Sequence, residues 1–257
     1  MTAIDRVDRR YIAGVIFEDA TTGAPVRGPL RLSSTNASFF LTTGGVYVVK
    51  SALGFEAYVD EFDNPPVVAP VEVEVFITDP AGLYFPRLFT LALPRSLNPT
   101  QANAVVQPIR VPLFRSLAAP LNPNWSVIDA TLIDNVTGAP VRNALVRALR
   151  NVDSVLLGTA LLMAGAPDSP TSSPRTIGQL AVPIVGIPVV AWSGTGQGSV
   201  LISSVPVRLE IVTISPSLSV FDPSQFSAAA GVSVGPFDVS SGRRTKVAAP
   251  LQVTVPS

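Results

Sequence analysis

The 257-residue chain contains no cysteine and no histidine. The first absence removes disulfides, thiolate nucleophiles and thiolate metal sites. It fits a reducing compartment. The second excludes Ser-His-Asp and Cys-His catalysis and imidazole metal sites. Charge is scarce as well: charged residues make up 14% of the chain, where a soluble domain carries about 25%. Eighteen acids balance eighteen bases, and only Lys50 and Lys246 among the bases are lysine. Residues 1–118 hold eleven acids and ten bases, and the remainder seven and eight. Neither half is a basic nucleic-acid surface or an acidic tail.

Long apolar runs are missing too. The stretch "VLLGTALLMAGAP" from Val155 is interrupted by Gly158 and ended by Pro167, and falls short of the roughly 20 residues a membrane helix needs. At the start, "MTAIDRVDRRYIAG" sets Asp5, Arg6, Asp8, Arg9 and Arg10 where a secretory signal requires an unbroken apolar region. The expectation is a chain that is cytoplasmic on synthesis.

What is present is apolar and punctuated. Hydrophobic residues reach 47% and mean hydropathy is +0.42. A neutral, charge-poor surface is poorly defended against association. Partners that cover part of it explain this composition, and so do large sandwich cores beneath Ser/Thr/Asn-rich surfaces. The 25 prolines and 18 glycines are scattered throughout and argue against long helices. Between them lie short β-branched runs. "VEVEVFIT" (71–78) alternates Val71, Val73 and Val75 with Glu72 and Glu74, the period of a half-buried strand. "YIAGVIFE" (11–18), "VYVVK" (46–50) after the turn "TTGG", "LYFPRLFTLAL" (83–93) after "DPAG", and "PIRVPLF" (108–114) read as further strands.

The phrase Thr-Gly-Ala-Pro-Val-Arg occurs twice, from Thr22 and from Thr137. Its surroundings repeat in the same order. "WSVIDATLID" (125–134) corresponds to the opening strand, "VPVRLEIVTI" (205–214) to "PVEVEVFIT", and "PLQVTVP" (250–256) to "PIRVPLF". This order indicates duplication of a whole domain. The expected units are 1–118 and 119–257, joined near "SLAAPLNPN" (116–124), with a longer insert around 150–200 in the second. Within each phrase, Asp19 or Asp134 can cap the turn with its carboxylate. The glycine supplies a positive φ, and Ala-Pro keeps the chain extended.

Asp19, Thr22, Gly23, Pro25, Val26 and Gly28, and again Asp134, Thr137, Gly138, Pro140, Val141 and Ala144, make a pattern that resembles the opening hairpin of the carboxypeptidase regulatory-like, or transthyretin-like, family. Asn143 stands in place of the second glycine and is expected to keep the turn by adopting a left-handed conformation. The resemblance covers some twenty residues of each copy. It implies an all-β chain of two tandem antiparallel Greek-key sandwiches, transthyretin-like or immunoglobulin-like. Modules of this kind stabilise, space or bind beside other domains. Family members with hydrolase activity rely on histidines, which this chain lacks. One segment departs from the strand pattern: Leu145, Leu149, Val152 and Leu156 recur at helical spacing. The family pattern gives a strand over 144–149, leaving a helix or irregular loop over 150–165.

Few residues suggest chemistry. Glu56, Asp60, Glu61 and Asp63 form the densest acidic group; a calcium ion and a solvated hairpin end both fit it, and the spacing matches no calcium loop. Gly194, Gly196 and Gly198 in "WSGTGQGSV" lack the following helix that a phosphate cradle needs, so they read as a hairpin loop. Arg243, Arg244 and Lys246 lie together without interleaved aromatics, suiting an acidic partner better than nucleic acid. Lys50-Ser51 reads as a surface position, and no pair of carboxylates is singled out for glycoside-type hydrolysis. The expectation is therefore no catalytic residue, cofactor or metal.

The sequence points to a non-enzymatic structural or interaction protein, with protein partners in a multi-subunit assembly or a homo-oligomer. Sandwich proteins kept in the cytoplasm until lysis or assembly include parts of phages and phage-tail-like contractile injection particles. That is the class expected here. The alternative is an exported carbohydrate- or ligand-binding module, using aromatics such as Trp125 and Trp192; a carboxylate-based hydrolase is third.

Overall fold

A computed structural model describes residues 13–53, 70–93, 108–116, 119–163, 178–187, 190–191, 200–201, 204–214 and 231–255. Among them are seventeen strands and no helix. The chain is all-β. Among the described residues, no helix is long and apolar enough to cross a membrane.

The first seven strands are β1 (Ala13–Asp19), β2 (Arg31–Ser33), β3 (Ala37–Leu41), β4 (Tyr47–Ala52), β5 (Val71–Thr78), β6 (Arg87–Leu93) and β7 (Ile109–Leu113). They form two sheets, ordered β3-β4-β1-β7 and β2-β5-β6. Period-2 alternation assigns the faces. Val71, Val73, Val75 and Ile77 point into the core while Glu72 and Glu74 face solvent. Val15, Phe17 and Val49 from one sheet meet Val73, Val75 and Leu91 from the other in a single apolar cluster. Phe17 lies edge-on to Tyr47 at 5.2 Å and to Phe89 at 6.0 Å, a geometry aromatic rings favour. The Tyr47 hydroxyl accepts from the Leu30 amide at 2.7 Å and donates to its carbonyl at 3.2 Å. That satisfies a polar group that burial would otherwise penalise.

The remaining strands are β8 (Ser126–Asp134), β9 (Ala144–Arg150), β10 (Leu156–Leu162), β11 (Gln179–Ile184), β12 (Val190–Ala191), β13 (Val200–Leu201), β14 (Ser204–Thr213), β15 (Val232–Ser240), β16 (Arg244–Lys246) and β17 (Leu251–Val253). Their main sheets run β10-β9-β14-β15 and β11-β8-β16, with β17 also on β8. They enclose a second cluster that includes Ile128, Leu132, Val146, Val182, Leu209 and Ile211. A small third cluster joins the two regions: Phe85 packs with Leu161 and Met163, flanked by Phe114 and Leu145.

The two regions share a local plan. β1 lies between antiparallel β4 and parallel β7, and β8 between antiparallel β11 and parallel β16 and β17. Phe17 pairs Val111 and Asp19 pairs Leu113; Leu132 pairs Leu251 and Asp134 pairs Val253. They differ in the strand that extends each sheet. β3 extends the sheet of β4 and β1, whereas β10 extends that of β9 and β14. β10 nevertheless reaches β11, where the Val185 amide donates to the Leu157 carbonyl at 2.9 Å. Gly158 makes this approach possible, because a Cβ there would lie 1.8 Å from the Pro183 carbonyl oxygen.

Two sequence expectations are corrected here. Of the expected helix or loop over 150–165, residues 150–163 are described and contain no helix: the chain turns at Asn151–Asp153 and returns as β10, antiparallel to β9. The helical spacing arose because Leu145 and Leu149 lie on one strand, Val152 in the turn and Leu156 on the next strand. Val152 and Leu156 are exposed, so they form no common apolar face. Strand β6 begins at Arg87, not Leu83, because residues 83–85 instead bond to 114–116 through Ser116 to Leu83 and Phe85 to Phe114.

Candidate functional site

The doubled phrase builds the same turn twice. The Asp19 amide donates to the Ala24 carbonyl at 2.9 Å, and the Asp134 amide to Ala139 at 2.8 Å. The Gly23 amide donates to the Asp19 carbonyl at 2.8 Å, and Gly138 to Asp134 at 2.9 Å. Gly23 has φ +69° and Gly138 +70°, a backbone conformation that costs an L side chain about 1–2 kcal/mol. Thr22 and Thr137 accept from the amides of Ala24 and Ala139, each at 3.2 Å. Pro25 bridges back to Glu18, and Pro140 to Ile133. The amide after each aspartate then reaches the parallel strand, Ala20 to Leu113 and Asn135 to Val253.

The equivalence fades beyond Val26 and Val141. Neither Gly28 nor Asn143 takes up a left-handed conformation, which corrects the role expected for Asn143. Asn143 is buried at the start of β9, and its carbonyl accepts from Ile214.

The two aspartates differ in their surroundings. Asp134 is partly exposed. The Thr137 hydroxyl donates to it at 2.5 Å, with weaker support from the Val136 and Thr137 amides. These bonds, led by the Thr137 hydroxyl, hold its carboxyl below the usual carboxylate range. Asp19 is 2% exposed. It accepts from the Thr21 and Thr22 amides at 2.8 and 3.1 Å, and from the Tyr84 hydroxyl at 3.1 Å. Arg115 Nε lies 2.7 Å from its second oxygen. Burial, then the Asp19 charge and the hydrogen bond to it, push the Tyr84 phenol up to about 12. Tyr84 and Arg115 converge because a β-bridge places them side by side.

Arg115 also faces the other way. Its guanidinium carbon lies 4.8 Å from the centre of the Trp125 ring, and Nη1 donates to the Pro120 carbonyl at 3.2 Å. A cation so placed on an indole is worth roughly 1 kcal/mol. The charge network therefore ties the first turn to the segment preceding β8. Tyr84, Arg115 and Trp125 carry no local sequence signal for this; only the long-range pairing of residues 84 and 115 brings them to Asp19.

The basic group sits on the outer face of β8, β11 and β16. A concavity of about 350 Å³ there is lined by Asp129, Thr131, Gln179, Arg244, Lys246 and Val247, among others. Arg244 grips Asp129 with Nε at 2.8 Å and Nη2 at 2.6 Å. Those bonds raise its already high pKa. The pair is internally neutralised, leaving Lys246 and the exposed Arg243 as positive charges beside it.

Lys50 is exposed, whereas the Ser51 hydroxyl bonds Ser38 across the sheet at 2.6 Å. Strand alternation sends the two side chains to opposite faces, so they do not form a Ser–Lys pair. The acidic group Glu56, Asp60, Glu61 and Asp63 lies outside the described residues, as do Trp192 and Gly194, Gly196 and Gly198. The glycine-rich stretch is bracketed by the antiparallel pair β12–β13, so a strand follows it. Among the described residues, no three acidic side chains converge as a metal site requires.

No family model, curated protein or solved structure matches this chain.

Proposed function

We propose that the chain is a tandem pair of transthyretin-like Greek-key sandwiches, residues 1–118 and 119–257, serving as a non-enzymatic structural or interaction subunit. The observation that carries the duplication is the repetition of main-chain hydrogen bonds in the Asp19 and Asp134 turns, together with the parallel pairings Asp19–Leu113 and Asp134–Val253. The turns gather main-chain amides around a carboxylate that caps them, an arrangement suited to holding strands together. The assembly role is supported by composition: net charge is zero, and charged residues are 14% of the chain. Exposed apolar side chains, Val136 and Val152 among them, stand at strand ends. The proposed setting is a phage-tail-like contractile injection particle or a similar multi-subunit body, with the chain as a subunit or accessory factor.

Purification of the tagged chain from its native source tests this reading. Structural proteins of a particle should accompany it in fixed stoichiometry. Recovery of the chain alone, at every stage of growth and lysis, would overturn it.

The concavity beside Lys246 favours a second reading, a ligand- or carbohydrate-binding module. Trp125 is already committed to Arg115. A glycan array without binding would remove this alternative.

A further inference from the structure

We infer that β3 is a self-association edge, through which two copies of this chain join their β3-β4-β1-β7 sheets into one continuous sheet. The inference rests on the reading of the chain as an association protein and names the surface and the partner. β3 ends its sheet, and no other described strand pairs with its outer side. Open edges invite strand addition unless charge, proline, extreme shortness or a covering element protects them. The other described edges carry such protection. β7, β11 and β15 contain proline, β6 contains the buried charge of Arg87, β16 contains Arg244 and Lys246, β2 and β17 are three residues long, and β12 and β13 are two. β10 has no charge, but β11 lies against it through Leu157 and Gly158. β3, with the sequence Ala-Ser-Phe-Phe-Leu, has neither charge nor proline, and its one irregularity, a bulge between Ser38 and Phe39, leaves Phe39–Leu41 in regular register. The surrounding stretch from Leu32 to Val49 holds no charged residue at all.

A second copy is the occupant that fits. Antiparallel pairing of β3 with itself is isologous and closes as a two-fold dimer. It brings no like charges together, and a chain of zero net charge adds no overall repulsion. The exposed Leu41, at 45%, would be covered by its partner. Phe40, opposite Val48 on β4, would continue an apolar row across the junction.

Sedimentation equilibrium of the full chain, with hydrogen exchange of the 37–41 amides, tests this. A concentration-dependent dimer is expected, with β3 amides more protected in the dimer. Leu41→Lys, at a site exposed enough to keep the fold, should weaken dimerisation by about tenfold or more, because it sets a charge on each edge. Val152→Lys, at a distant exposed apolar site, should leave dimerisation unchanged. A dimer that survives Leu41→Lys with β3 amides unprotected overturns the edge assignment and leaves the assembly reading standing. A chain that is monomeric throughout, and recovered without companions from its source, removes both.

Discussion

Arg115 Nε lies 2.7 Å from the buried carboxylate of Asp19, while Asp134, at the same place in the second turn, is partly exposed beside Thr137. One turn is the centre of a charge network and the other is a plain cap. Removal of Arg115 leaves a carboxylate buried without its cation, a change that destabilises strongly because desolvation is no longer offset. Arg115→Met should cost about 3 kcal/mol in urea unfolding, and Asp134→Ala distinctly less. Equal losses at the two positions would contradict the asymmetry.

Alkaline pH probes the same network from Tyr84. Its folded pKa, at about 12, exceeds the ordinary 10.0, so the unfolded chain releases this proton first as pH rises. Tyr84 thus contributes stability that is complete below pH 10 and is lost as pH climbs towards 12. Tyr47, raised by burial, adds to the same loss. Stability measured across this range should fall, and Tyr84→Phe should flatten the slope. An unchanged slope in Tyr84→Phe would show that Tyr84 titrates normally in the folded state.

Gly158 and Gly23 separate two reasons for glycine. A methyl at Gly158 would collide with the Pro183 carbonyl, so Gly158→Ala must push β10 off β11. The expected cost is about 3 kcal/mol. Gly23 faces open space, and only its φ of +69° resists substitution, so Gly23→Ala should cost about 1 kcal/mol. Thermal unfolding of both variants checks the order.

These elements differ in how plainly the sequence announced them. The alternation of Val71, Val73 and Val75 with Glu72 and Glu74 marked β5, because a two-sided strand leaves a local period. Asp19-Ala-Thr-Thr-Gly and Asp134-Asn-Val-Thr-Gly marked their turns, because a positive φ and a capping carboxylate are local requirements. β10 was hidden because a tight turn after Arg150 put residues of two strands into helical phase. The Asp19–Arg115 contact and the placing of β10 on β9 depend on strand order, which local pattern does not encode. Asn143 looked like a turn residue and is instead buried in the chain entering β9.

The central claim is that this chain works by joining others. Light scattering of the purified intact chain across a wide concentration range tests it most directly. The account predicts a mass that rises with concentration to a multiple of the 26.9 kDa chain. A soluble species of 26.9 kDa at every concentration, from a chain recovered without companions from its source, would contradict it.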